Sequence, residues 1–335
     1  MFLKEAREPL AGFIRKFLRF RARNLPVTNS RRWREWSIGI YAGSSPLDLG
    51  SPETIVNPVL TKENLSDIGA EFVADPFMVN RNGIWYMFFE IMDCETGRGK
   101  IGLATSEDIK KWTFQQIVLE EPFHLSYPYV FEWANEFYMI PETCSVNAVR
   151  LYKATVFPAK WSFVGALLEG RDYADPSVFY SDKKWWLFTG HRVSGADDTL
   201  RLYHANKLAG PWFEHPKSPI IERNTRAARP AGRVLVVGER IIRYVQDCYP
   251  AYGTQVRAFE IVELTTTSYR EVEIESKSPV LAGSGTGWNA AGMHHIDAHL
   301  LDDGTWVACV DGFPAYLVPP PLDLSSDRFD QSSVL

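Results

Sequence analysis

Cysteine is scarce in this chain of 335 residues: Cys94, Cys144, Cys248 and Cys309 stand far apart. No CxxC pair exists, which argues against a zinc site built on cysteines. Four in a chain of this length do not make a disulfide framework, so reduced and mostly buried thiols are expected. Long apolar runs are missing too; none approaches the roughly 18 residues of a membrane-spanning helix. Positive charge is not in excess: the net charge is −5, which excludes a general nucleic-acid binder. The first ten residues hold Lys4, Glu5, Arg7, Glu8 and Pro9. They form no apolar h-region and no cleavage site, so a cytoplasmic protein is expected.

Aromatic residues, by contrast, are plentiful at 13% of the chain. They suit β-sheet interiors and sugar-binding clefts, where flat rings cover the C–H faces of a sugar. Charge is unevenly placed. Residues 1–35 carry a net of +7, which leaves −12 for the rest. Within that segment Leu10, Phe13, Ile14, Phe17, Leu18 and Phe20 recur at helical spacing between Arg15, Lys16, Arg19 and Arg23. The pattern predicts a short basic amphipathic helix. Residues 10–23 would then lie on an anionic membrane surface, at the inner membrane face, or pack on the protein or a partner.

From Trp36 onward the sequence repeats itself. Ala74-Asp75-Pro76-Phe77, Tyr127-Pro128-Tyr129, Ala174-Asp175-Pro176-Ser177 and Arg229-Pro230-Ala231 each open a strand–turn–strand unit. His294–Leu300 opens a weaker fifth. The shared prolines at 76, 128, 176 and 230 are spaced by about 50 residues, the length of a four-stranded propeller blade. A third alternating strand follows each hairpin. Trp112, Trp161 and Trp212 then mark a fourth strand in three of the units and are expected in the core. The prediction is an all-β, five-bladed β-propeller over residues 36–320, with a basic segment at 1–35 and a tail at 321–335. A β-sandwich would not produce a repeat of this length.

Blades opening with Ala-Asp-Pro-Phe and Ala-Asp-Pro-Ser-Val-Phe, each followed by an aromatic strand, resemble the furanosidase-type five-bladed propellers of arabinanases, β-xylosidases and invertases. A closer resemblance is to the N-terminal propeller of glucosamine inositolphosphorylceramide transferases and related bacterial polysaccharide proteins. It rests on Trp36–Tyr41, Ser45-Pro46-Leu47, Ala74–Phe77, Pro141-Glu142-Thr143 and Gly292–Asp297. In those transferases, the resemblance implies, sugar transfer belongs to a separate domain, which this sequence is not expected to hold.

In a propeller the innermost strand of each blade lines the central axis. Asp75, Tyr127, Asp175, Arg229 and His295 would therefore converge on one funnel despite their separation in sequence. Inverting glycoside cleavage needs a carboxylate base and a protonated acid about 6.5–9.5 Å apart. The resemblance implies Asp75 as base or nucleophile, and Asp175 as the second Asp that orients the acid and raises its pKa. The clan's acid is a Glu at the head of the following blade, where this chain has Arg229-Pro230. Glu142 is the preferred substitute, since its Pro-flanked place in a strand is unusual; Glu90 ends the equivalent strand of another blade. An Asp before Pro is otherwise a common turn device.

Arg229, Arg192 and His191 are candidates for an anionic substrate group such as a phosphate or a nucleotide-sugar diphosphate. His294 and His295 are candidates for substrate hydroxyls. Trp288 and Tyr249 are candidates for sugar stacking. No cofactor is called for; a metal ion near His295 or Asp297 suits the residue types, but no spacing demands one. The Gly283–Gly287 run lacks the Lys-Ser/Thr of a phosphate loop. Three functions follow: an enzyme cleaving or transferring a glycosyl group, a propeller that only binds glycan or a partner enzyme, and a transferase using a nucleotide sugar. The enzyme reading leads, with Asp75, Glu142 and Asp175 as its catalytic set.

Overall fold

The computed structural model describes residues 34–65, 68–193 and 196–315. The expected amphipathic helix and its membrane face, and the tail at 321–335, lie outside the described residues. Helix among the described residues is limited to 3-10 turns such as Lys62–Asn64, and none is long and apolar enough to cross a membrane.

Five antiparallel sheets make five blades. Blade I runs through Ala70–Arg81, Ile84–Asp93, Gly99–Ser106 and Thr113–Leu119. Blade II takes Ser126–Trp133, Glu136–Glu142, Ala148–Val156 and Lys160–Glu169, and blade III takes Tyr173–Ser181, Lys184–Val193, Ala196–Ala205 and Phe213–Glu214. Blade IV is the least regular. Its inner edge is split into Arg229–Pro230 and Leu235–Val237, followed by Arg240–Asp247, Gln255–Leu264 and Tyr269–Glu273.

Blade V is assembled from both ends of the propeller. Its inner strands are Ile296–Leu300 and Trp306–Gly312; its outer strands are Ser37–Ser45 and Asp48–Gly50. Ser37–Ser45 pairs with Trp306–Gly312 from Ser37 opposite Gly312 to Gly43 opposite Trp306. This closes the ring and covers the edge that either end would otherwise expose.

Apolar packing follows the same circle. Phe77, Phe88, Tyr129, Val130 and Leu187 lie in a cluster that links blades I to III. Phe188, Leu202 and Ile261 join III to IV, Tyr244, Val256 and Val310 join IV to V, and Ile40, Met87 and Val307 join V to I. The three repeated tryptophans pack as expected. Their indole N–H groups donate to Ile109, Pro158 and Leu208 carbonyls at 2.7–3.0 Å, so each pins the turn before the outer strand. The four thiols are free; Cys94 is exposed and Cys309 buried, so burial is less general than expected.

The axis itself is filled. Arg233 of blade IV pairs with Asp297 of blade V at 2.6 Å and donates to the Val130 carbonyl of blade II at 2.9 Å. Asp297 also accepts the Met78 N–H of blade I. Phe77, Tyr127 and His295, all fully buried, stack edge to face beside this latch.

Candidate functional site

The repeated dipeptides produce one local device three times. In blade I the pairing jumps from Ala74 opposite Glu90 to Phe77 opposite Phe88, so Asp75 and Pro76 face a single residue. Ser126 to Tyr129 in blade II and Ala174 to Ser177 in blade III show the same jump. Each is a β-bulge in the innermost strand. Proline fits there because a bulge spares one ladder hydrogen bond. The residue before it takes a left-handed conformation: φ is 52° at Asp75, 47° at Tyr127 and 48° at Asp175. A non-glycine residue held so costs on the order of 1–3 kcal/mol.

The inward N–H of each bulge is held by a carboxylate. Asp75 N–H donates to Asp311 at 3.0 Å, Tyr127 N–H to Asp75 at 3.3 Å, and Asp175 N–H to Glu142 at 3.0 Å. Asp75 and Asp175 thus stand on one rim, as the repeat predicts. Glu90, Glu142 and Asp311, each near the end of the second strand of its blade, are buried with them.

The carboxyls fall into two groups. In the first, Asp175 and Glu142 surround Arg229. Its Nε lies 2.5 Å from Asp175 Oδ2, its Nη1 2.9 Å from Asp197 and its Nη2 3.5 Å from Glu142. Gln246 donates to Asp175 as well, at 2.9 Å. Burial pushes Asp175 up to about 7, opposed by Arg229 and reinforced by Glu142. Arg229 was expected to bind an anionic substrate group; its guanidinium is instead occupied by the protein's own carboxylates. Arg192 donates to the same Asp197, and His191 pairs with Asp172.

In the second group, Asp75 and Glu90 each keep a buried oxygen without a hydrogen-bond partner. Burial raises Asp75 to about 7; His294 opposes this, and Asp175 and Asp311 add to it. Glu90 is raised well above the usual carboxylate range, by burial first and then by Asp75, Glu142 and Asp175. His124 Nε2 stands 3.5 Å from Glu90 while its Nδ1 accepts the Gly99 N–H at 2.8 Å, which leaves the ring proton on Nε2, facing Glu90.

His294 ties this group to blade V. Its Nδ1 is 2.7 Å from Asp311 and its Nε2 3.5 Å from Asp75. Burial would lower its pKa, but Asp311 and Asp75 carry it above the usual histidine value. His295 lies 3.8 Å from Asp75; burial depresses it to about 4 and both its ring nitrogens lack partners. Among the described residues, Asp75, His294 and Asp311 offer ligand atoms within 4.8 Å of one another and are the set that could hold a cation. Asp297 is committed to Arg233, His299 and Met78 and offers no free oxygen for one.

Aromatic rings roof the site. Trp36 stacks on His294 with centroids 3.9 Å apart, and Tyr252 meets His294 edge-on at 5.1 Å. The Arg229 guanidinium lies 5.0 Å from the Tyr252 ring centre. Trp288 packs on Gly39 within the blade IV–V cluster, and Tyr249 is exposed beneath Arg226. Neither ring stacks on His294 or Arg229 as Trp36 and Tyr252 do. Asp311, Asp197 and Tyr252 were missed by sequence reasoning. Asp311 had a signal, because it lies near the end of the second strand of its blade, as Glu90 and Glu142 do.

Against known proteins, residues 32–313 match the family described as glucosamine inositolphosphorylceramide transferase 1, N-terminal. The chain is 36% identical over 297 residues to glucosamine inositolphosphorylceramide transferase 1 of Oryza sativa subsp. japonica, and 32% identical over 296 residues to that of Arabidopsis thaliana. The alignments cover 83% of this chain and 39–40% of the plant proteins, so the chain spans about two fifths of their length. Among solved structures, the catalytic domain of a Coprinopsis cinerea GH62 α-L-arabinofuranosidase superimposes with a TM-score of 0.53 at 14% identity, over 80% of this chain and 84% of that one. An exo-1,5-α-L-arabinanase from a bovine ruminal metagenomic library gives 0.51 at 19% identity, over 74% and 90%. These two show the fold alone. The match over residues 32–313, with the plant relatives aligned to most of the chain, places it in the glucosamine inositolphosphorylceramide transferase 1 N-terminal family.

Proposed function

We propose that this propeller binds a sugar in its funnel and presents it for glycosyl transfer in glycolipid or polysaccharide assembly, without hydrolysing it. The observation that carries this reading is the Arg229 clamp. A guanidinium stands where the furanosidase-type propellers are expected to place their acid, and it holds Asp175 and Glu142 by direct contacts of 2.5–3.5 Å. All four oxygens of the pair are engaged by protein donors, Arg229, Gln246, the Asp175 N–H and Cys144, so neither carboxyl is turned to hand a proton to a leaving oxygen.

What remains is a recognition surface. Asp75 and Glu90 have unpartnered oxygens ready for hydroxyl or ammonium donors. Their raised pKa values let them donate as well as accept near neutrality. An excess of carboxyls suits a neutral or amine-bearing sugar better than a sugar phosphate. The plant relatives are named for a glucosamine-bearing lipid, and an amino sugar fits this charge. A second reading rests on the same pair: Asp75 and Glu90, both protonating near or above neutrality, are an alternative base and acid for slow glycosyl cleavage.

Calorimetric titration with glucosamine, myo-inositol, methyl α-L-arabinofuranoside and a nucleotide sugar tests the proposal. Saturable binding of a free sugar, lost in Asp75→Asn, is the expected result. Binding of the nucleotide sugar alone would reject it.

A further inference from the structure

Tyr252 is the least anchored part of the site. It lies in the loop between Arg240–Asp247 and Gln255–Leu264 of blade IV. Tyr249, Pro250 and Ala251 at the tip are exposed, and Gly253 turns the chain with φ of +74°. Among the described residues, no backbone hydrogen bond ties residues 250–253 to another element. The ring packs on the apolar cluster of Trp36, Phe72, Ala74, Met92 and Phe313, with Arg229 at 5.0 Å, His294 at 5.1 Å, Arg34 at 5.7 Å and Trp36 at 6.4 Å. Such ring contacts are worth about 0.5–1.5 kcal/mol each beyond the apolar area they bury.

The ring bridges the two halves of the site, because Arg229 holds Asp175 and His294 stands 3.5 Å from Asp75. The phenol is pushed well above its usual pKa, first by burial, with Arg229 opposing and Asp75 and Asp175 adding. Two of its charged neighbours, Arg229 and His294, are thus the side chains that touch the Asp residues opening blades III and I. In the site, Asp75 Oδ1 and Glu90 Oε1 make no hydrogen bond; their polar neighbours include His294 Nε2 and His124 Nε2, each 3.5 Å away. The carboxyls themselves are at most 5% exposed while the ring is in place. A six-membered ring lying between the guanidinium and His294 covers about the footprint of a pyranose ring.

We propose that Tyr252 is a placeholder: its ring fills the sugar subsite of the funnel, and a pyranose enters by displacing it. The subsite is then bounded by Arg229, Trp36 and His294, with the Asp75 carboxyl 3.5 Å from His294. This inference rests on the sugar-binding reading above and adds where the sugar lies and what it must move. A site open only part of the time binds more weakly by that fraction, so removing the ring tightens binding.

The test uses the full chain with Tyr252→Ala and Tyr252→Phe, titrated with glucosamine and myo-inositol, and with p-cresol as a probe of the vacated space. Tyr252→Ala should bind the sugar about tenfold more tightly than the unaltered protein, which corresponds to a subsite open about one-tenth of the time. It should also gain saturable p-cresol binding, while Tyr252→Phe should match the unaltered protein in both. Equal or weaker sugar binding by Tyr252→Ala overturns the placeholder and leaves the sugar-binding reading standing. So does a Tyr252→Phe variant that binds as tightly as Tyr252→Ala. No p-cresol binding by Tyr252→Ala overturns the subsite. If p-cresol binds but no sugar binds to any of the three proteins, the sugar-binding reading falls and the inference falls with it.

Discussion

Replacing Asp75 by Asn is expected to stabilise the protein, increasingly so as pH rises. Asp75 is 5% exposed, and burial holds its folded pKa at about 7. In the unfolded chain the same carboxyl titrates near 3.9. Between these values the folded state keeps a proton that the unfolded state has lost, so stability falls as pH rises and levels off above about 7. At about 1.4 kcal/mol per pH unit, this group alone removes about 3 kcal/mol between pH 5 and pH 8. Asn does not titrate, and its amide oxygen can still accept the Tyr127 N–H that Asp75 takes at 3.3 Å. Urea unfolding at pH 5 and pH 8, at matched ionic strength, measures the effect. The variant's advantage should widen by about 3 kcal/mol from the lower to the higher pH. A difference that is unchanged between the two pH values, or that narrows, would refute the reasoning that Asp75 is a carboxyl held in a site built for binding at a cost in stability.

Other expectations follow from the same contacts. Arg229→Met strands Asp175, Glu142 and Asp197 without their shared cation. A loss of about 3–5 kcal/mol is expected at pH 8. The loss should be smaller at pH 5, where Asp175 is protonated, and urea titration at the two pH values checks it. Gly232→Ala places a methyl 1.7 Å from the Ile296 carbonyl oxygen at φ of +139°. That approach joins blades IV and V, so the variant should be recovered mostly as insoluble protein, as a solubility assay would read. Arg233→Met removes the axial latch to Asp297 and should cost about 3–5 kcal/mol in the same unfolding assay.

Much of this architecture was legible because blades are local. A hairpin, a third strand and a Trp-marked fourth lie within about 50 residues, so periodicity and turn residues expose them. The Asp-Pro openings also carried physical meaning, since an inner-strand bulge is what a proline there produces. Ring closure was not legible. Ser37–Ser45 pairs with Trp306–Gly312 across almost the whole propeller, and nothing local to either segment names its partner.

The site divides the same way. Asp75, Asp175, Glu142 and Glu90 were found by their position in the repeat. The role of Arg229 was not, because a charge in sequence does not say whether it faces a ligand or the protein's own carboxylates. Tyr252 comes from the irregular loop of blade IV, where the repeat gives no register. Trp288 looked like a stacking ring from composition, yet it lies against Gly39, a contact set by the packing of blade V.

The most direct test of the account is prolonged incubation of the protein with a glycan it binds, followed by NMR of the anomeric protons. Saturable binding with unchanged anomeric signals is the expected result, since Arg229 engages both carboxyls of the Asp175–Glu142 pair. Release of reducing sugar that disappears in Asp75→Asn would contradict it, and would make the funnel a glycosidase working through Asp75 and Glu90.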